Sequence, residues 1–188
     1  MKQSDATYEI EIKAGFPRAM YQLAKEMLSR SRKHFAQAAI AVGLQMRYAA
    51  LAVVCAFTSL ESYINGYGAE RLNPEVWREC RRLRPATKWI LVPQLATGQT
   101  FNKETEPFQS FIWLRNLRNY VLHFREGTYT MTGFVGGAHP AYSTFEPYSR
   151  LNIESAERAC STVMAMISAL HALDDSEPPC WVLTKDQG

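Results

Sequence analysis

The chain carries few features that would tie it together covalently or through a metal. Its four cysteines, Cys55, Cys80, Cys160 and Cys180, are scattered. No CxxC pair occurs and no histidine stands at ligand spacing from any of them, which argues against a zinc site. The N-terminal stretch MKQSDATYEI lacks the apolar segment of a signal peptide. The longest uninterrupted apolar run, Tyr48 to Phe57, is ten residues, about half of what a membrane span requires. Charge of one sign is also scarce: 21 basic and 18 acidic side chains leave +3. That balance permits a nucleic-acid partner without arguing for one. No internal repeat, glycine-rich phosphate loop, Ser/His/Asp order, paired-carboxylate site or DNA-binding motif stands out. These absences leave a soluble, cytoplasmic protein in a reducing setting, with no membrane, metal or cofactor expected.

What is present suits one globular domain. At 188 residues with 47% hydrophobic and 21% charged side chains, the chain buries enough surface to fold without staples. The expected architecture is mainly α, a single domain over 1–188 built on an antiparallel helical bundle at about 17–173. A small accessory β-sheet is expected from the N-terminus and residues 128–150, with strands near 7–12 and 128–145 and an edge strand at 181–184. The first strand follows from alternation, with Tyr8, Ile10 and Ile12 on one side and Glu9 and Glu11 on the other. Pro17 then fits the first turn of a helix running from Arg18 to about Ala41. A second, nearly all-apolar helix spans about Leu44 to Arg71. Asn73-Pro74 starts a short third helix, and Pro93 breaks the apolar stretch 88–98 into a short helix or turn. A helix opening at Glu106-Pro107 reaches about Arg125, and the last runs from Ile153 to Leu173 with Asn152 or Ser155 as its cap.

The helix from Pro107 to Arg125 is the most informative segment. At about 100° per residue, Phe111, Leu114, Leu117, Val121 and Phe124 form one apolar stripe with Arg118 on its rim. Asn119 and His123, four residues apart, share a face away from that stripe, and Arg115 leads into it. Arg118 and His123 lie about 140° apart around the axis and about 7.5 Å apart along it. One helix therefore cannot easily close both on a single phosphate, whereas two copies packed face to face would bring an arginine and a histidine from each chain into one cleft.

Arg118-Asn119-Tyr120-Val121-Leu122-His123 resembles the R-x4-6-H motif of the HEPN superfamily, in the form with asparagine directly after arginine. The upstream run Ala56-Phe57-Thr58-Ser59-Leu60-Glu61-Ser62-Tyr63-Ile64-Asn65 is similar to that family's buried helix. Lys88-Trp89 with Pro93, and Gly98 followed by Phe101, resemble its connecting segment. The resemblance covers about residues 45–170. It implies an antiparallel bundle that dimerises through the motif helices. It further implies a metal-independent endoribonuclease of the kind found in defence, stress and toxin–antitoxin systems, with RNA as substrate and an antitoxin or regulatory protein as a partner. Carried over by position, Arg118 and His123 would be catalytic, with Asn119 between them. The superfamily also holds non-catalytic scaffolds that bind nucleotide, RNA or protein, so that alternative stays open.

The residue types suit the chemistry independently. Metal-free RNA cleavage needs a proton taken from the 2′-hydroxyl, a proton given to the departing 5′-oxygen, and a cation at the crowded phosphate. Histidine performs either transfer near neutral pH, and arginine matches two phosphate oxygens with its fork. His123 in the last helical turn suits a general acid or a phosphate-pairing cation, and Arg118 a stabiliser of the transition state. The residues do not identify the base; a second subunit's His123 is the natural candidate, and Arg115 and Arg125 are candidate substrate contacts. The plainer readings are that His123 caps helix carbonyls and that Arg118 reaches past the bundle edge to Glu61. Glu61 itself is expected to support Arg118 or Asn65. The run Arg78, Arg81, Arg82, Arg84 and Lys88 reads either as an RNA-tracking strip or as a solvated helix face.

Overall fold

The computed structural model describes residues 3–34, 40–123 and 150–183, with side chains described for 15–33, 44–123 and 150–183. The protein is mainly helical. Seven helices occur among the described residues: α1 (Gln3–His34), α2 (Ile40–Arg71), α3 (Pro74–Cys80), α4 (Pro85–Thr97), α5 (Phe108–Leu122), α6 (Ile153–Leu173) and α7 (Cys180–Leu183).

The centre is α2, which packs against α1, α3, α4, α5 and α6. That role explains its composition. A helix contacted on several sides gains from apolar residues around much of its circumference, and Ala52, Val53, Ala56, Leu60 and Ile64 are fully buried. Its stretch Leu44–Arg71 is long and apolar enough to cross a membrane by length and composition, yet half of its most apolar window is buried within the bundle. Cys55 is buried among these residues, and desolvation raises its thiol pKa.

Side-chain contacts give the directions of the helices. Ser59 Oγ donates to the Pro17 carbonyl at 2.8 Å and Ser31 Oγ to the Gln45 carbonyl at 3.1 Å, so α1 and α2 are antiparallel. Tyr63 meets His171, and Arg71 meets Asp174, so α6 runs parallel to α2. Arg158 reaches Ser110 while Arg150 lies over Tyr120, so α5 runs against both. An aromatic cluster of Phe57, Trp89, Phe101, Phe108 and Phe111, with neighbouring centroids 5.6–6.0 Å apart, locks α2, α4 and α5 together.

Local signals account for several boundaries. Asn73 accepts from the Glu75 amide and Pro74 occupies the first turn of α3. Asn152 caps α6 through a reciprocal pair with Ser155. Gly98, at φ 78°, closes α4 in the left-handed region.

The accessory sheet is not found: no strand occurs among the described residues. Residues 7–12 are helical and belong to α1, which carries Pro17 in its interior rather than its first turn. A five-residue alternation is too short to separate a period of 2 from 3.6, and no strand among the described residues is available to supply ladder hydrogen bonds there. Residues 181–183 belong to the short helix α7. The Val182 amide bonds the Pro179 carbonyl at 2.8 Å, Val182 is buried, and Trp181 packs on Tyr21 and Tyr63. An isolated extended edge would leave those backbone groups without a ladder. The strand expected at 128–145 lies outside the described residues. Pro93 does not end α4, which runs through it for 13 residues.

Candidate functional site

Arg118, Asn119 and His123 occupy the C-terminal third of α5. Arg118 is half-buried on the side facing α2, its guanidinium carbon 5.3 Å from the centre of the Phe57 ring. That distance is within cation–π range. Its Nη1 donates to Asn119 Oδ1 at 3.2 Å. Its Nε–H is buried and has no acceptor among the described residues. No carboxylate pairs with it, so the expected alternative of an Arg118–Glu61 ion pair does not form among the described residues. The cation is held by a ring face and one amide, neither of which cancels its charge.

Asn119 also engages the histidine. Its backbone carbonyl accepts from the His123 amide at 2.9 Å, which closes the helix with His123 at the C-cap. The His123 side chain is exposed. Gln109, Asn116 and His123 follow one another at seven-residue steps, each drifting about 20° around the axis. His123 therefore lies on the side of α5 that carries Gln109 and Asn116, while Arg118 lies against α2. The structure places the two in one helix-end neighbourhood but on separate faces of it. Arg115 donates from Nε and Nη2 to Asn116 Oδ1 at 3.3 and 3.0 Å. Arg125 lies outside the described residues.

Glu61 and Asn65 take part in a different network. Lys88, only 4% exposed, donates from Nζ to Asn65 Oδ1 at 2.8 Å and sits 5.9 Å from the centre of the Trp77 ring. Burial lowers the Lys88 pKa, partly opposed by the Glu61 charge. Glu61 and Asn65 thus serve to seat Lys88 and join α4 to α2. Lys88 consequently leaves the proposed basic strip. Arg78, Arg81, Arg82 and Arg84 remain exposed, and Arg78 is 3.7 Å from Glu79.

The sequence reading missed a groove of about 720 Å³ between α5 and α6. Its walls include Gln109, Trp113, Asn116, Tyr120, Arg150 and Arg158. Arg158 lies 4.3 Å from the Trp113 ring centre and Arg150 5.1 Å from that of Tyr120, giving two stacked cation–aromatic pairs along one trough. Gln109 and Asn116 are the helix positions in line with His123. The available signal was the spacing Trp113, Asn116, Tyr120, His123 on one face of the motif helix. The arginines opposite were not recoverable without knowing that α6 runs antiparallel beside it.

No group of three or more His, Cys, Asp or Glu side chains able to hold a metal ion occurs among the described residues. Comparison of the chain with family models, curated proteins and solved structures finds no match.

Proposed function

We propose that this protein is a HEPN-like, metal-independent endoribonuclease whose site is completed by two copies of the chain. The observation that carries the proposal is Arg118: a half-buried guanidinium with an orphaned Nε–H and no carboxylate partner among the described residues. An unsatisfied buried donor is destabilising by about 1–3 kcal/mol, and a bound phosphate oxygen would satisfy it. Exposed Leu122, one turn beyond Arg118 on its side of α5 and 48% accessible, extends the same surface and suits burial against a second subunit.

In this reading two α5 helices meet about a two-fold axis. Arg118 of one chain holds the scissile phosphate, and the histidines stand on either side of it. One His123 takes the 2′-hydroxyl proton as the 2′-oxygen attacks phosphorus. The other donates a proton to the 5′-oxygen as its bond to phosphorus breaks. The products are a 2′,3′-cyclic phosphate and a free 5′-hydroxyl. Asn119 orients the arginine through its side chain. Arg115 adds phosphate contact, and the groove arginines Arg150 and Arg158, on stacked aromatic rings, suit flanking nucleotides. A cytoplasmic role in defence, stress or a toxin–antitoxin pair, restrained by a regulatory protein, accompanies this chemistry.

The test is cleavage of a mixed-sequence RNA by the purified chain in EDTA. Cutting that yields cyclic-phosphate ends, and that is lost in Arg118→Ala and His123→Ala dimers of unchanged fold, supports the proposal. RNA left intact by dimers that still bind RNA, a nucleotide or a partner protein identifies the non-catalytic HEPN-like scaffold instead.

A further inference from the structure

At the far end of the bundle from His123, a second cavity of about 510 Å³ opens where α1, α2, α6 and the turn before α7 meet. That volume falls in the small-molecule range of about 300–1,000 Å³. Two glycines on facing helices contribute to the space. Gly15 of α1 and Gly66 of α2 both line it, and a Cβ built at either meets no atom within 4 Å. Glycine inside a helix is unfavourable by about 1 kcal/mol against alanine, and neither position lets another element approach closely. Gly68, two residues on, does that for Trp77. The room at Gly15 and Gly66 serves the cavity.

Its inner wall is an ordered hydrogen-bond chain. Ser176 Oγ donates to Asp174 Oδ2 at 3.1 Å, which leaves the serine oxygen to accept from His171 Nδ1–H at 2.7 Å. His171 Nε2 then accepts from the Tyr63 hydroxyl at 2.6 Å. Burial lowers the His171 pKa and so favours this neutral form of the imidazole. Arg71 is neutralised by Asp174 at 2.5 Å. The Tyr63 oxygen, having donated its proton inward, retains acceptor capacity.

Two charges on the lining remain unmatched. Arg18 and Glu70 both border the cavity and both are exposed. Neither forms an ion pair among the described residues, with the other or with any further group. Tyr67 and Trp181 add aromatic surface to the same lining.

We infer that this cavity binds a free α-amino acid with an aromatic or large apolar side chain. Its carboxylate pairs with Arg18, its ammonium group with Glu70 and the Tyr63 oxygen, and its side chain packs on Tyr67 and Trp181. A polyanion would meet one free guanidinium and be repelled by Glu70. A simple cation is repelled by Arg18, and a neutral apolar molecule leaves both charges unmatched. The inference is independent of the ribonuclease reading, since Arg118 and His123 do not line this cavity.

Calorimetric titration of the full chain with L-phenylalanine, phenylpropionate and phenethylamine tests it. L-Phenylalanine should bind saturably, and each analogue, lacking one charge, at least about tenfold more weakly. Arg18→Gln should remove the preference for L-phenylalanine over phenethylamine, and Glu70→Gln the preference over phenylpropionate. Gly66→Leu should block binding while the far-ultraviolet spectrum is unchanged. The inference is overturned if none of the three binds saturably at millimolar concentration. It also fails if the analogues bind as well as the amino acid, or if both exposed-charge variants bind like the parent.

Discussion

Gly66 and Gly68 stand two residues apart in α2, and alanine at the two positions should have opposite effects. Both substitutions gain the same intrinsic helix preference, about 1 kcal/mol. At Gly66 nothing lies within 4 Å of the new Cβ, so Gly66→Ala should stabilise by about 0.4–1 kcal/mol. At Gly68 the Cβ would stand 2.5 Å from Cζ3 and 2.8 Å from Cε3 of Trp77, well inside contact distance. Trp77 cannot withdraw freely, because α3 is only seven residues long and its ring neighbours the seated Lys88. Overpacking of this kind is unfavourable by about 1–3 kcal/mol. Because the helix gain is common, the difference between the two variants isolates that overpacking. Urea unfolding of both proteins measures it, and a chain of this size shifts its Tm by about 2–4 °C per kcal/mol. Adding Trp77→Ala should erase the penalty at Gly68, a coupling above about 0.5 kcal/mol in the double-mutant cycle. Equal stability of the two alanine variants, or additivity with Trp77→Ala, would refute the packing of α3 on α2 described above.

Other consequences can be measured in parallel. The folded state holds His171 neutral with its pKa lowered, first by burial, so the unfolded chain binds its proton first as pH falls. Stability from this group is complete above the ordinary imidazole value near 6.5 and declines as pH drops below it toward the lower folded value; urea midpoints from pH 8 downward should show a steeper fall for the parent than for His171→Gln. Lys88→Ala, which removes a charged hydrogen bond to Asn65, should destabilise by about 2–3 kcal/mol in urea unfolding, whereas Arg81→Ala on the exposed strip should change stability by less than about 0.5 kcal/mol. Arg118→Lys keeps the charge but not the planar fork, and should slow RNA cleavage by about 100-fold or more in a single-turnover assay; a rate equal to the parent would remove bidentate phosphate contact from the account.

The parts of the fold that the sequence disclosed were those with local causes. Asn152 and Ser155 announce the start of α6, and Asn73-Pro74 that of α3, because capping is settled within four residues. The nearly all-apolar stretch from Leu44 to Arg71 marked a single helix, which is the greater part of α2. The N-terminal helix is hidden in the sequence because Tyr8 to Ile12 alternate over too short a span, and because Pro17 marks no boundary: α1 passes through it. At the site, the separation of Arg118 and His123 around α5 followed from helical geometry alone. The cradle of Phe57 beneath Arg118, the diversion of Glu61 and Asn65 to Lys88, and the groove arginines depend on which helices become neighbours. No spacing within one element encodes that information.

The central claim is that Arg118 of one chain acts with His123 of another. In dimers that pair a parent subunit with an Arg118→Ala subunit, one arginine and both histidines remain, so cleavage should persist at a substantial fraction of the parent's rate. Dimers that pair a parent subunit with a His123→Ala subunit keep both arginines but lose either the base or the acid, and should cut RNA at least about 100-fold more slowly. Equal activity in the two kinds of mixed dimer, or full activity in either variant alone, would contradict the shared site.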